Sequence, residues 1–535
     1  MSAGPRPSTR PLPVAELVPL LGAHGRSNDP SPDAASATVV TGVTHDSRAV
    51  LPGDLYAALP GFRTHGAEFV REAAAAGASA VLTDPAGLDR ALAAGVPVLV
   101  SDDPRAALGA IASRVYGDPS QDLLVVGITG TNGKTTTSYL VDAGLRADGR
   151  TTGVIGTVGT LIGDEPVATA RTTPEATDVH ALLAVMRERG VTAVTMEVSS
   201  HALRLGRVDG VRFDVVAFTN LSPDHLDFHR DMDDYFDAKA ELFRADRAGR
   251  AVVCVDDEWG RRMAELAGAR GLEVTTYALG GTAATWTARG VVGVPGGTVM
   301  RAHGRLSGGG FADVPLEVRL PGAFNAANAL GALAVLEACG VDADVAADGI
   351  AACPGVPGRM ERVPDPDASR GLFAYVDYAH TPDAVERALV AAREVLEARG
   401  AGGRVLVVLG AGGDRDPHKR RAMGEAAARG AEVVVVTDDN PRSEPPEAIR
   451  AELLRGAAVH PGTRTSEIGD RRDAVAAAVS AAQPGDVVLV LGKGHEQGQE
   501  AGGVVTPFDD RVVLAEALEA VHPGPGAAAG TAVRP

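Results

Sequence analysis

Apolar and polar positions alternate along this chain on two distinct periods. Largely apolar runs at 123–128, 193–197, 215–219 and 251–255, then at 373–376, 405–409, 433–436 and 487–491, read as buried strands. Longer segments between them carry apolar residues at helical spacing. Strand and helix in alternation predict parallel, doubly wound sheets, an α/β fold. A shorter α/β unit comes first, with strands at 39–43, 55–59, 80–82 and 96–100 and a helix at 67–76. Residues 281–318 break the rhythm with Gly, Ala and Thr among β-formers, which predicts an antiparallel excursion. Three domains are expected, at 13–121, 122–352 and 353–521, with Pro354-Gly355-Val356-Pro357-Gly358-Arg359 as the hinge into the third. Residues 1–12 and 522–535 are rich in Pro, Gly, Ala and Ser and are expected to be disordered tails.

The polar residues concentrate where the predicted strands end. Gly127-Ile128-Thr129-Gly130-Thr131-Asn132-Gly133-Lys134-Thr135-Thr136-Thr137 lies between a strand and a helical pattern that continues from Ser138. Strand, glycine loop, Lys-Thr and helix make the layout of a phosphate-binding loop. Glycines let several backbone N–H groups face one anion, and the helix N-terminus adds positive potential. Lys134 then meets the outer phosphates of ATP and the Thr135 hydroxyl holds Mg²⁺. The spacing departs from G-x-x-x-x-G-K-[ST], because Ile128 stands where the first glycine is usual and Gly127 precedes it. The central domain is therefore predicted to be a P-loop ATPase domain with a parallel sheet, and the third a Rossmann-like α/β domain.

Other strand ends add candidates. Glu197 stands where a P-loop enzyme carries its acidic metal-holding residue. Asp224, His225, Asp227 and His229 place oxygen and nitrogen ligands within six residues of one another, suited to metal or phosphate. Asn325 and Asn328 share a helix face, as caps or as purine contacts. Lys239 reads from its helix position as a solvated surface lysine. In the first domain Asp46-Ser47-Arg48 and Phe62-Arg63-Thr64-His65-Gly66 read as ordinary loops. In the third, Asp377-Tyr378-Ala379-His380, Gly410 to Asp416, Asp438 to Arg442 and Gly492 to Glu496 mix acids with bases at one predicted sheet edge. A pocket with both signs suits a zwitterionic, amino-acid-like substrate.

Composition narrows the choice. The 535-residue chain is 45% hydrophobic and 22% charged, as globular proteins are. A net charge of −18, from 69 acids and 51 bases, argues against nucleic acid and anionic membrane as partners. Three well-separated cysteines form neither a metal pair nor a disulfide framework, which fits a reducing cytoplasm. No run of about 18 apolar residues and no signal sequence is visible, so membrane insertion is not expected.

Taken in order, Gly130-Thr131-Asn132-Gly133-Lys134-Thr135-Thr136, Glu197-Val198-Ser199-Ser200-His201, Asn220-Leu221-Ser222-Pro223-Asp224-His225, Asn325-Ala326-Ala327-Asn328, Pro357-Gly358-Arg359 and Asp377-Tyr378-Ala379-His380 closely resemble the Mur ligases of peptidoglycan synthesis. The resemblance runs from about Val39 to Arg511. Asp439-Asn440-Pro441-Arg442 with Gly492-Lys493-Gly494-His495-Glu496 looks like the branch that adds the third peptide residue, in its diaminopimelate-using form. The resemblance implies ATP-dependent ligation of diaminopimelate to a UDP-muramoyl dipeptide by a cytoplasmic monomer. It implies that Gly130, Thr131, Asn132, Gly133, Lys134, Thr135 and Thr136 bind ATP, joined by Asn325, Arg359, Asp377 and His380. Ser47, Thr172, Thr173, Ser199 and Arg207 would hold the UDP-muramoyl dipeptide. Arg415, Asp439, Asn440, Pro441, Arg442, Gly492 and Glu496 would clasp diaminopimelate. Thr135, Glu197 and His225 would serve Mg²⁺, and Lys239, replacing the surface reading, matches the family's CO₂-derived carbamate that holds a second ion. Lys134, Lys239, His225 and Glu197 are thereby the implied catalytic set. Two positions depart from the family: Cys254 stands for a common Asn, and Arg171 for an Asn before Thr172-Thr173-Pro174. The competing readings are a folylpolyglutamate-synthase-like ligase and a nucleotide switch without ligation.

Overall fold

The computed structural model describes residues 6–28, 38–61, 63–169, 171–400 and 402–521. Its first sheet has five strands in the order Arg26–Asn28, Val98–Val100, Ala80–Thr83, Asp54–Ala57 and Gly42–Thr44. All pair in parallel except Arg26–Asn28. The predicted strand at 39–43 divides, because Val39–Val40 leaves to pair with Leu12–Pro13. Residues from Arg6 onward are therefore not a tail. The Arg6 guanidinium forms a 2.9 Å ion pair with the buried carboxylate of Asp54 and also donates to the Ala49 carbonyl. Its partners lie some 45 residues away in sequence, so composition alone misread this segment. The predicted tail at 522–535 lies outside the described residues, as does Phe62.

Eleven strands build the central sheet. Leu124–Thr129 lies in its middle, flanked in parallel by Ala193–Glu197 and Phe213–Phe218. Ala248–Cys254 and Glu273–Ala278 continue in parallel on one side. The 281–318 segment forms the expected antiparallel strands, Trp286–Val294, Gly297–Arg305 and Phe311–Val318. It is not an excursion, however, because Trp286–Val294 runs parallel beside Glu273–Ala278 and prolongs the sheet. The fully buried Trp286 pairs with Tyr277 at this junction and on its other side covers Gly304 so closely that a Cβ there would fall 2.2 Å from the indole. The helix Ala323–Ala338, apolar on nearly every side, closes this face together with Lys134–Ala147.

The third sheet has six strands in the order Glu361–Val363, Phe373–Asp377, Val487–Leu491, Val405–Leu409, Val433–Val436 and Arg464–Glu467. Only the first is antiparallel to its neighbour. Separate apolar cores on its two faces leave the strands buried on both sides, which is why they read as unbroken Val and Leu runs. The carboxyl ends of these strands carry the acid-and-base loops, and the third sheet's loops meet those of the central sheet across a cleft.

Candidate active site

Backbone geometry at the glycine loop leaves no choice of residue at two places. Gly130 has φ +151°, and a Cβ there would lie 1.9 Å from the Thr219 hydroxyl. Gly133, at φ +87°, stands just before the helix Lys134–Ala147, and its Cβ would meet the Asn328 amide at 2.4 Å. Thr219 and Asn220, at the end of the next strand, clamp the loop. The Thr219 hydroxyl and Asn220 amide donate to the Asn132 carbonyl at 2.6 and 3.0 Å, and Asn220 accepts the Asn132 N–H at 3.0 Å. The loop is thus held in shape before any phosphate arrives.

Two lysines converge on it. Lys134 folds back to donate to the Gly130 and Thr131 carbonyls, both at 2.9 Å. Lys239 reaches the same Gly130 carbonyl at 2.9 Å and lies 4.5 Å from the Tyr235 ring centre. Lys239 is only 1% exposed, so the surface reading of this residue is wrong. Its helix, Met232–Ala240, packs Tyr235, Phe236 and Lys239 inward, which a nine-residue polar pattern did not disclose. Burial, and then the nearby Lys134, push the Lys239 ammonium well below its ordinary pKa.

Glu197 is buried at the end of its strand. Its carboxylate accepts the Thr135 hydroxyl at 3.0 Å and the Thr157 N–H and hydroxyl at 2.8 and 2.9 Å. A hydroxyl and a carboxylate beside a phosphate loop fit Mg²⁺, which takes one or two carboxylates and completes its shell from phosphate and water. His225 holds a left-handed backbone at φ +55° beside Asp224, and burial together with Lys134 and Lys239 keeps its imidazole below its usual pKa. The expected four-ligand cluster does not form. His229 is buried between the Ser200 hydroxyl at 2.9 Å and Asp234 at 3.3 Å, and no group of three His, Cys, Asp or Glu side chains converges among the described residues.

The third domain closes over this loop. Arg359 donates to the Thr135 hydroxyl at 3.0 Å and stacks 4.7 Å from the Tyr378 ring centre. Asp383 accepts from the Asn132 amide at 3.0 Å. Asp377 accepts the Met360 and Ala379 N–H groups at 2.7 and 2.8 Å, fixing the turn that carries His380. Between the domains lie two cavities. One, of about 430 Å³, is lined by residues 131–136, Asn328, Arg359, Asp377 and the corner of Cys254, Asp256 and Tyr277. The other, of about 550 Å³, has Thr172, Thr173, Ser199 and Arg207 on one wall and Arg415, Asp439, Asn440, Arg442, Gly492 and Glu496 on the opposite one.

That second wall is cross-linked. Buried Lys493 donates to the Asn440 amide oxygen at 3.0 Å and to Glu496 at 3.1 Å, while the Asn440 amide donates to Glu496 at 2.8 Å. Arg442, at φ +52°, donates to the Gly413 carbonyl at 2.6 Å and lies 3.5 Å from Glu500. On the facing wall Arg207 pairs with Glu175 at 2.8 Å, and the departing residue Arg171 shares that carboxylate.

The chain matches the Mur ligase family catalytic domain over residues 39–116, the Mur ligase middle domain over 128–336 and the Mur ligase glutamate ligase domain over 358–494. It is 55% identical over 519 residues to the UDP-N-acetylmuramoyl-L-alanyl-D-glutamate–2,6-diaminopimelate ligase of Streptomyces avermitilis, covering 96% of this chain and 98% of that one. The chain belongs to the Mur ligase family. A ligase of the same name from Corynebacterium glutamicum is 48% identical over 498 residues, 91% of this Mur ligase and 93% of the relative. A solved structure of such a ligase, 31% identical, superposes with a TM-score of 0.66 over 96% of this chain and 100% of its own. Folylpolyglutamate synthase of Mycobacterium tuberculosis, at 20% identity, shares the fold with a TM-score of 0.58 over 78% of this chain and 95% of its own.

Most of the residues expected in this Mur ligase's site line one cavity or the other, but five do not, among them Lys239, which meets the Gly130 carbonyl without lining either. Gly130 shapes the loop from behind. Asn325 is buried, bonded to the Pro321 carbonyl at 2.8 Å and accepting from Asn328 at 3.2 Å, so Asn328 faces the cleft in its place. Pro441 turns its carbonyl onto Gly413, where a Cβ would meet it at 2.0 Å. Ser47 lies in the short Ser47–Ala49 turn outside both cavities, although neighbouring His45 contacts the Thr177 hydroxyl at 3.3 Å, just past the Thr172-Thr173 wall. Thr157, Asp383 and Lys419 were missed. None belongs to a spacing pattern, and each is recruited by a fold contact.

Proposed function

We propose that this Mur ligase joins 2,6-diaminopimelate to the D-Glu γ-carboxylate of UDP-N-acetylmuramoyl-L-alanyl-D-glutamate in peptidoglycan synthesis, with ATP converted to ADP and phosphate. What carries this reading is the pair of adjoining cavities: a phosphate loop opens on one, and a cross-linked wall of acids and bases on the other. In the first step the γ-carboxylate attacks the γ-phosphorus of ATP, which gives an acyl phosphate and ADP. In the second the diaminopimelate amine attacks the acyl carbon and phosphate leaves.

The protein positions and neutralises. Residues 130–136 cradle the phosphates, with Lys134 swinging from the Gly130 and Thr131 carbonyls onto the outer ones. Thr135 and Glu197 would hold a Mg²⁺ ion, and His225 with a carbamate on Lys239 a second; bound there, the metal offsets charge on the transferring phosphoryl group. A buried, neutral Lys239 amine is the form that adds CO₂, which turns a cation into a carboxylate. Thr172, Thr173, Ser199 and Arg207 fit the acidic dipeptide, with Ser47 toward its UDP end. Arg415, Asp439, Asn440, Arg442, Gly492 and Glu496 fit the amino and carboxyl groups of diaminopimelate. Asn132 and Asp383, with Arg359 and Thr135, join the domains and keep water from the acyl phosphate. We place the reaction in the cytoplasm with a single chain as the active unit; no helix among the described residues is long and apolar enough to cross a membrane.

Release of ADP tests the whole reading. It should require the UDP-muramoyl dipeptide, and product should form with diaminopimelate far faster than with lysine. Steady ATP hydrolysis indifferent to both substrates would reject ligation in favour of a nucleotide switch.

A further inference from the structure

The second step needs a group to accept a proton, because diaminopimelate carries its amines as ammonium at neutral pH. Three side chains able to act as proton acceptors, Asp224, His225 and His380, line both the nucleotide cavity and the acid-and-base cavity. His225 belongs to the implied metal set. Asp224 is engaged by His225, with the backbone N–H at 2.9 Å and the imidazole at 3.5 Å. His380 comes from the third domain, as does the wall that fits diaminopimelate.

Hydrogen bonding fixes its tautomer. Nδ1 of His380 lies 2.8 Å from the Tyr378 carbonyl. A carbonyl only accepts, so Nδ1 carries the hydrogen and Nε2 of the neutral ring keeps its lone pair. The turn is rigid: Asp377 holds the Ala379 N–H from below, and the Tyr378 ring meets the imidazole edge-on at 4.7 Å. An acceptor with no hydrogen to offer has no use for a phosphate or carboxylate oxygen. It suits an N–H donor.

We propose that His380 is the general base of the ligation step, accepting at Nε2 the proton whose removal turns the diaminopimelate ammonium into the attacking amine. The inference rests on the ligase reading above. As the C–N bond forms at the acyl carbon, the C–O bond to phosphate breaks. Phosphate leaves with the electron pair and takes the second proton, the one the nitrogen sheds as it becomes an amide, while the first passes from His380 to solvent. The charged groups around the ring agree with a base that enters neutral. Burial above all disfavours a resting proton, Lys419 at the start of the helix Lys419–Gly430 and Arg359 from the hinge do the same, and Asp224 and the Tyr378 carbonyl oppose them. This moves His380 from the nucleotide-closing role that the family resemblance implied to the amine.

His380→Gln separates this from a structural or nucleotide role. The variant should still form the acyl phosphate, seen by borohydride trapping with the UDP-muramoyl dipeptide and ATP alone. Ligation of diaminopimelate should fall by about 100-fold or more. Hydroxylamine, already neutral at pH 7, should intercept the acyl phosphate as fast as in wild type. Wild-type kcat/KM for diaminopimelate should level off by neutral pH, whereas the variant's residual rate should climb about tenfold per pH unit toward the pKa of the amine. Loss of the trapped acyl phosphate in the variant, or an unaltered pH profile, overturns the assignment. Absence of acyl phosphate in wild type would instead reject the ligase reading itself.

Discussion

At the residue scale the site turns on charges whose surroundings define them. Lys239 has no carboxylate ion-pair partner among the described residues and sits beside another lysine, so burial favours its neutral amine. That is the state a carbamate requires. With ¹³C-labelled bicarbonate, a carbamate carbonyl resonance should appear in wild type and vanish in Lys239→Ala, whose ligase rate should drop at least about 100-fold. A Lys239→Ala enzyme of near-normal rate would remove the lysine from the mechanism. Arg442 is anchored by the Gly413 carbonyl and Glu500 with its guanidinium at the cavity wall. Under the proposed function it, or Arg415 on the same wall, would be the cation that meets the carboxylate distinguishing diaminopimelate from lysine. Arg442→Ala should lower kcat/KM for diaminopimelate by roughly 100-fold while shifting the ATP KM less than about threefold. Unchanged diaminopimelate kinetics would refute that assignment for Arg442.

Elements decide how rigidly these residues are held. The wall carrying Arg415, Asp439 and Arg442 rests on two helices, Lys419–Gly430 and Pro446–Ala457, that touch through glycines. A Cβ at Gly424 would lie 1.9 Å from the Leu453 carbonyl, and one at Gly456 1.9 Å from the Arg421 carbonyl. Backbone cannot yield as a side-chain tip can, so Gly424→Ala should cost about 1–3 kcal/mol by urea unfolding. A variant as stable as wild type would show that the helices slide apart freely. The same scale shows what was legible beforehand. Ala193–Glu197, Val405–Leu409, Val433–Val436 and Val487–Leu491 coincide with their apolar runs, because strands buried on two faces need continuous Val, Leu and Met. The helix 67–76 was less legible: its first turn is a tighter 3-10 helix over Gly66–Phe69, begun by the His65 ring accepting the Ala67 N–H.

Across the whole molecule, buried histidines link stability to acidity. His180 lies in the helix Ala176–Glu188 against the central core and donates through Nε2 to the Asp209 carbonyl at 2.9 Å. Burial lowers its pKa from 6.5 to about 4, so the folded chain keeps it neutral while the unfolded chain takes up a proton below about pH 6.5. Its contribution is therefore complete above pH 6.5 and is lost as pH falls toward 4. The full loss is about 3 kcal/mol. His495, also lowered to about 4, acts in the same direction. Urea midpoints between pH 7 and 4.5 should fall less steeply for His180→Phe than for wild type. Parallel slopes would exclude His180 as a source of the acid sensitivity.

The sequence by itself determined the local rules and the chemistry they advertise. Apolar runs set the strands, Gly130 and Gly133 shape the phosphate loop, and the ordered motifs from the P-loop to Glu496 carry the family. All of these are matters of period, backbone freedom and residue type within a few positions. Tertiary structure alone decided the rest, because burial and adjacency arise between segments far apart in the chain. It put Lys239 in the interior, Asn328 rather than Asn325 at the cleft, and Asp383 against Asn132. It joined the 281–318 strands to the central sheet and ordered the chain from Arg6. It also set His380 where the two cavities meet, a position that emerges only when two sheets face each other across a shared cleft.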